Sequence, residues 1–185
     1  MSSIDFLKET KEIKNEIVEN QRFLHQNAEV GFELSKTAEF VKNKLEEIGC
    51  KVEPCGKNGL VALVGKGQGK TFLLRADMDA LPIKEDAEVD FSCKNGNMHA
   101  CGHDFHTAML LGAAKVLKKY EKEIKGTVKL MFQPAEEVLS GAKNMIEDNS
   151  RIHIIDTKTF IIPFAAFTVI TFPHGIIVVF DLHDL

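Results

Sequence analysis

Three imidazoles, one thiol and one carboxylate fall within nine residues of this chain, Met98-His99-Ala100-Cys101-Gly102-His103-Asp104-Phe105-His106. Cys and His hold zinc-class cations, and a Cys-x-His spacing with Gly between the two lets both side chains turn toward one ion. Further on, Gln133-Pro134-Ala135-Glu136-Glu137 brings a carboxylate pair with the chemistry of an oxygen ligand and a general base. A metal held by Cys101 and His103 and completed by Glu136 or Glu137 has a mixed S/N/O shell, which suits zinc, cobalt or manganese better than calcium. Neighbours in an extended chain face opposite ways, so one Glu is expected to ligate while the other takes a proton from a water whose pKa the metal lowers to about 7. Asp77 or Asp79, in Arg75-Ala76-Asp77-Met78-Asp79, is expected to orient a ligand imidazole from behind. The competing chemistry is Cys101 as a nucleophile with a nearby His as its base. His99 and His106 read as loop and helix-surface residues or as donors to a ligand, and His25 reads as an ordinary helix-end residue.

These groups need elements to carry them. Ile4, Leu7, Ile13, Ile17, Val18 and Leu24 recur at helical intervals among Lys and Glu, which predicts one long amphipathic helix from Ile4 to about Gln26. A second helix follows, with Ser35 as N-cap, a stripe of Phe40, Val41, Leu45 and Ile48, and Gly49 at the C′ position. Strands are expected at Lys51 to Pro54, Leu60 to Val64 and Thr71 to Leu74. The Gly65-Lys66-Gly67-Gln68-Gly69 segment lacks the Lys-Ser/Thr ending of a phosphate loop and is expected to be a hairpin turn between the last two. Residues 80–98 read as loop. Asp104 is expected to cap a helix that presents Ala108, Leu111, Ala114 and Leu117 and ends in Lys118 and Lys119, its positive end favouring a thiolate at Cys101. Thr127 to Phe132 predicts a strand and Gly141 to Glu147 a short helix. The chemical groups thus fall beyond strand ends or at a helix start, where α/β sheets bind ligands.

With 44% apolar and 27% charged residues over 185, the chain is an ordinary globular protein with enough length for a real core. Its net charge of −4 and the lack of a basic stripe exclude nucleic acid as a natural partner and favour small molecules. The charged, amphipathic start has no signal-peptide pattern, so a cytoplasmic location is expected. Four cysteines are too few for a disulfide framework; Cys50, Cys55 and Cys93 read as core or loop residues. Composition breaks after residue 150: Arg151 to Leu185 has no Glu, and its apolar run holds Pro163 and Pro173. The prolines weigh against a membrane span and favour two apolar strands split at them. The expected division is a partial catalytic domain over 1–150 and an apolar tail over 151–185.

The motifs resemble the M20 metallopeptidases, and within them the amidohydrolase branch of aminoacylases, hippurate hydrolases and auxin-conjugate hydrolases. Carrying the likeness are Leu74-Arg75-Ala76-Asp77-Met78-Asp79-Ala80-Leu81-Pro82, His99-Ala100-Cys101-Gly102-His103-Asp104 with His106, and Gln133-Pro134-Ala135-Glu136-Glu137 with Gly141-Ala142. Gln26 to Glu33 is similar to the family's early His-x-x-Pro-Glu segment, with departures at Asn27 and Val30. The resemblance covers about residues 4 to 149. It implies Cys101, His103 and Glu137 as metal ligands, Glu136 as general base and a pair of divalent metals (Zn, Mn or Co). It also implies the N-terminal part of an M20-type α/β catalytic domain, a mixed sheet flanked by helices, acting on small N-acyl amino acids or related amides. The family pattern continues with a Gly-Leu-His ligand strand, a lid and dimerisation domain and a last His ligand; none is recognisable here, and Asp181-Leu182-His183 echoes the strand too late. Residues 151–185 are therefore expected to be a frameshifted or otherwise altered end, the lid to be absent and the oligomeric state to be untransferable. A non-catalytic, metal-binding fragment is the alternative function.

Overall fold

Strand β4 (Thr127–Gln133) is buried along nearly its whole length, and the rest of the domain is laid around it. The computed structural model describes residues 4–65, 69–148, 159–162, 168–172 and 175–179. One five-stranded sheet runs in the order β1 (Val52–Pro54), β2 (Leu60–Gly65), β4, β3 (Thr71–Asp77), β5 (Thr159–Ile162). β2 lies antiparallel to β4, whereas β3 is parallel to both β4 and β5. β6 (Thr168–Phe172) and β7 (Gly175–Val179) form a separate antiparallel pair. Apolar strands are thus present in the tail, while Pro163, Pro173 and residues 180–185 lie outside the described residues. No helix among the described residues is long and apolar enough to cross a membrane.

The side-chain period of two sorts the sheet's faces. Leu60, Ala62, Val64, Leu74, Ala76, Val128, Leu130 and Phe132 join the main core with α3 (Ser35–Glu47) and α4 (His103–Lys119). Val61, Leu73 and Met131 pack on the other face with Met145 of α5 (Gly141–Glu147). A Cβ on Gly141 would collide with the Pro134 carbonyl, so that helix can start there only with glycine.

Four local expectations are corrected. The first helix is two, α1 (Phe6–Glu12) and α2 (Lys14–Gln26), because Ile13 leaves helical geometry at φ −102°, ψ 9°. The bend lets Ile13 and Ile17 pack over Gly112 while α1 reaches the far end of α4 through Glu9, which accepts from Tyr120 at 2.6 Å. Ser35 is the first helical residue and caps nothing; the Glu29 carboxylate caps α3 from outside, accepting from the Thr37 N–H at 2.7 Å and its hydroxyl at 2.8 Å. The other end of α3 behaves as expected: Gly49 at φ +88° donates to Glu46 O and Cys50 N to Leu45 O, the paired bonds of a Schellman cap. β2 and β3 form no hairpin, since β4 is inserted between them and β3, α4 and β4 make a parallel βαβ unit. Finally, α4 starts two residues early, capped by Gly102 in the left-handed region at φ +78° rather than by Asp104, whose carboxylate faces Gln21 and His25 instead.

Candidate metal centre

β3 delivers Asp77 at its end, and the chain continues into Asp79, which is wholly buried. A buried carboxylate must find donors. Asp79 finds them in the next strand's loop: Oδ1 accepts from the Glu136 N–H at 2.9 Å and Oδ2 from the Glu137 N–H at 3.1 Å. Its carbonyl oxygen lies 2.8 Å from His103 Nδ1. One residue therefore fixes the three groups that β4 and α4 bring to this edge. The loop itself is a turn with Leu139 N bonded to Glu136 O at 2.8 Å and positive φ at Ala135 and Leu139. This corrects the extended geometry expected for the glutamates. Both carboxylates approach the same imidazole, Glu136 Oε2 at 3.9 Å from Nε2 and Glu137 Oε1 at 3.9 Å from Nδ1.

His103 is buried; burial pushes its pKa down, but the hydrogen bonds to Asp79 and the nearby Asp77 charge outweigh this and hold it above the ordinary value. Glu137 Oε1 is buried with no hydrogen-bond partner. Such an oxygen is costly to leave unmatched unless a cation meets it. Cys101 is exposed; donation of its S–H to Glu137, burial and the surrounding Glu137, Glu136 and Asp79 charges push its pKa up to about 11. The thiolate expected from the helix terminus is thus not favoured by the protein alone, because three carboxylates outweigh one helix end. A divalent cation held among them would reverse the balance.

A second group, Asp77, His103 and His106, has ligand atoms within 4.8 Å of one another, as do His103, Glu136 and Glu137. His106 follows His103 by one helical turn, and its Nδ1 lies 3.6 Å from Asp77 Oδ2, so it faces inward. Burial raises the Asp77 pKa, but His106 and Arg75, whose Nε donates to Asp77 Oδ1 at 2.8 Å, outweigh it and leave the carboxyl below the usual value. His99 is buried with neither ring nitrogen hydrogen-bonded, and burial first of all pushes its pKa down to about 4.

His25 is not an ordinary helix-end residue. Its Nδ1 lies 2.8 Å from Asp104 Oδ2 and its Nε2 2.9 Å from Glu85 Oε1, both carboxylates being buried. Gln21 Nε2 donates to the same Asp104 oxygen at 2.6 Å. Sequence reading missed this network, although two polar residues four apart on an otherwise apolar face of α2 were the signal for it. Cys50, Cys55 and Cys93 are buried free thiols, as expected.

The fold and this cluster define an α/β domain that gathers imidazole and carboxylate groups beyond the carboxyl ends of parallel strands, at a helix start, with the exposed Cys101 thiol beside Glu137. The model of peptidase family M20/M25/M40 matches residues 73–170, more than half of the chain, and the chain belongs to that family. It is 45% identical over 149 residues to the IAA-amino acid hydrolase ILR1-like 2 of Arabidopsis thaliana, covering 80% of this chain and 34% of that protein. It is also 45% identical over 139 residues to the N-acetyl-L-cysteine deacetylase of Bacillus subtilis, covering 74% of this chain and 33% of the relative. Among solved structures it superposes, with a TM-score of 0.71 and 39% identity, on the Bacillus subtilis YXEP protein, a dinuclear metal-binding peptidase of the M20 family, over 75% of this chain and 40% of the other. The chain spans about a third of the length of the curated relatives it matches.

Proposed function

We propose that this chain is the N-terminal part of a metal-dependent amidohydrolase catalytic domain that removes acyl groups from N-acyl amino acids or cleaves related amides. Cys101, His103 and Glu137 are the proposed ligands, Glu136 the general base and Asp77 an orienting carboxylate. The observation that carries this reading is the buried His103 flanked by Glu136 and Glu137, with a buried Glu137 oxygen that has no hydrogen-bond partner. The donor set fits zinc, manganese or cobalt, and a pair of them is proposed by likeness to the dinuclear YXEP protein. A bound metal supplies Lewis acidity, polarising the amide carbonyl and acidifying a water.

The chain's own residues do the remainder. Glu136 is held by its backbone N–H on Asp79 while its side chain stays about a third exposed, free to take a proton from the attacking water and return it to the leaving amine. Glu137, more deeply set, keeps its carboxylate toward His103 and Cys101. His106 is steered by Asp77, which Arg75 pins in turn. The thiol-nucleophile alternative is disfavoured by a Cys101 pKa near 11. All four cysteines are free, which supports a reducing, cytoplasmic setting, and the boundary near residue 150 belongs to the same proposal.

The test is metal stoichiometry on the purified chain together with hydrolysis of N-acetylmethionine and hippurate in zinc, cobalt or manganese. Turnover is expected to vanish in Glu136→Gln with the metal still bound, and to survive in Glu123→Gln. Activity that persists in EDTA would favour the thiol chemistry. Stoichiometric metal without turnover in any form would favour the metal-binding fragment.

A further inference from the structure

We infer that His25 is a positioning residue of the metal-type site: bridging Glu85 and Asp104, it fixes from α2 the segment that presents Cys101 and His103. The inference rests on the site reading proposed above.

His25 touches none of the proposed ligands, yet it holds both ends of the stretch that carries them. On one side Asp104, the residue after His103, accepts from Gln21 and faces His25 Nδ1 at 2.8 Å. On the other side Glu85 faces Nε2 at 2.9 Å and turns its second oxygen to the Cys93 N–H at 2.6 Å. The intervening loop adds Phe91, whose ring meets His25 edge-on at 5.5 Å and lies under the Arg22 guanidinium at 5.0 Å. Beyond it the loop pairs Leu81 with Met98, three residues before Cys101. With the loop latched at Glu85 and the helix at Asp104, the turn through Gly102 has little freedom left, so the Cys101 thiol and His103 ring are presented together.

Both ring nitrogens face carboxylates, so both act as donors at once, which an imidazolium does and a neutral ring cannot. Burial pushes the His25 pKa down, but the bonds to Glu85 and Asp104 outweigh this and raise it. Groups that orient a metal site from outside typically change metal affinity by about 10- to 100-fold when removed.

The test is a cobalt titration of the full chain, read by affinity and by the thiolate-to-cobalt charge-transfer band that reports Cys101. In His25→Ala the affinity is expected to fall about tenfold or more and the band to weaken. Glu85→Gln should do likewise, since an amide cannot accept from both Cys93 N–H and His25. His25→Gln, keeping one donor, should recover part of the loss, and Glu19→Gln, on the exposed side of α2, should match the parent. Folded His25→Ala with parental affinity and band overturns the inference alone; if that variant does not fold, parental behaviour in Glu85→Gln does so. A parent chain that binds no cobalt overturns the site reading and this inference together.

Discussion

Asp79 carries more of this site than any of the groups expected to do chemistry. It is fully buried and accepts from two successive backbone N–H groups, those of the proposed base and a proposed ligand, while its carbonyl faces the His103 ring. An Asp79→Asn substitution keeps the shape but turns an NH2 toward one of those N–H groups. A buried donor facing a donor costs about 1–3 kcal/mol, and the glutamate it held is released. Metal affinity measured by calorimetry is expected to drop about 10- to 100-fold, whereas Asp86→Asn, on an exposed side chain, should leave it unchanged. The proposed residues stood out in sequence because a Cys-His cluster at a helix start and a carboxylate pair just past a strand end occur in one chain, each motif being common alone; of these, His103, Glu136 and Glu137 meet with ligand atoms within 4.8 Å of one another. The clasp of His25 was not legible there, because the four-residue spacing of Gln21 and His25 marks a polar pair on α2 but names no partner, and Glu85 and Asp104 lie 60 and 79 positions from His25.

At the level of elements, periodicity gave the strands and helices but not their neighbours. β4 inserts between β2 and β3 because α4 carries the chain back to a parallel position, a tertiary outcome that the glycines of residues 65–69 cannot announce. The cap of α3 was equally hidden. Ser35 has the right chemistry one residue too late, inside the helix, and Glu29 reaches in from the preceding loop and takes Thr37 N–H at 2.7 Å. That same loop bonds Glu29 O to Ala80 N and Gly31 O to Ala135 N, next to the site. Glu29→Ala is therefore expected to cost about 1–2 kcal/mol in denaturant unfolding and Ser35→Ala close to nothing. A larger loss from Ser35→Ala would mean that the serine is the cap.

Over the whole molecule, the acids that pairwise rules scatter along the chain converge: Asp77, Asp79, Glu136 and Glu137 surround His103, and Glu85 and Asp104 surround His25. Two consequences for stability follow. The His25 pKa is raised on folding, so its contribution is complete below about 6.5 and disappears as pH rises through the folded value. The Glu85 pKa is lowered, chiefly against burial, by His25 and the Cys93 N–H, so its contribution is present above about 4.3 and is lost as pH falls through the folded value. Thermal melts of the metal-free chain should peak between these limits, and His25→Gln should flatten the alkaline side. The second consequence concerns the cluster around His103, where carboxylates repel until a cation arrives. Ligand binding to the folded state alone stabilises by RT ln(1 + [L]/Kd), about 2.7 kcal/mol at a hundredfold excess over Kd. For a chain of this size that corresponds to a rise in Tm of about 5–10 °C, measured with zinc, cobalt or manganese and reversed by EDTA. Glu137→Gln removes the negative charge beside His103, so the rise should shrink to near zero while the metal-free Tm stays the same or increases as repulsion among the carboxylates falls. An undiminished rise in that variant would place the cation elsewhere on the molecule.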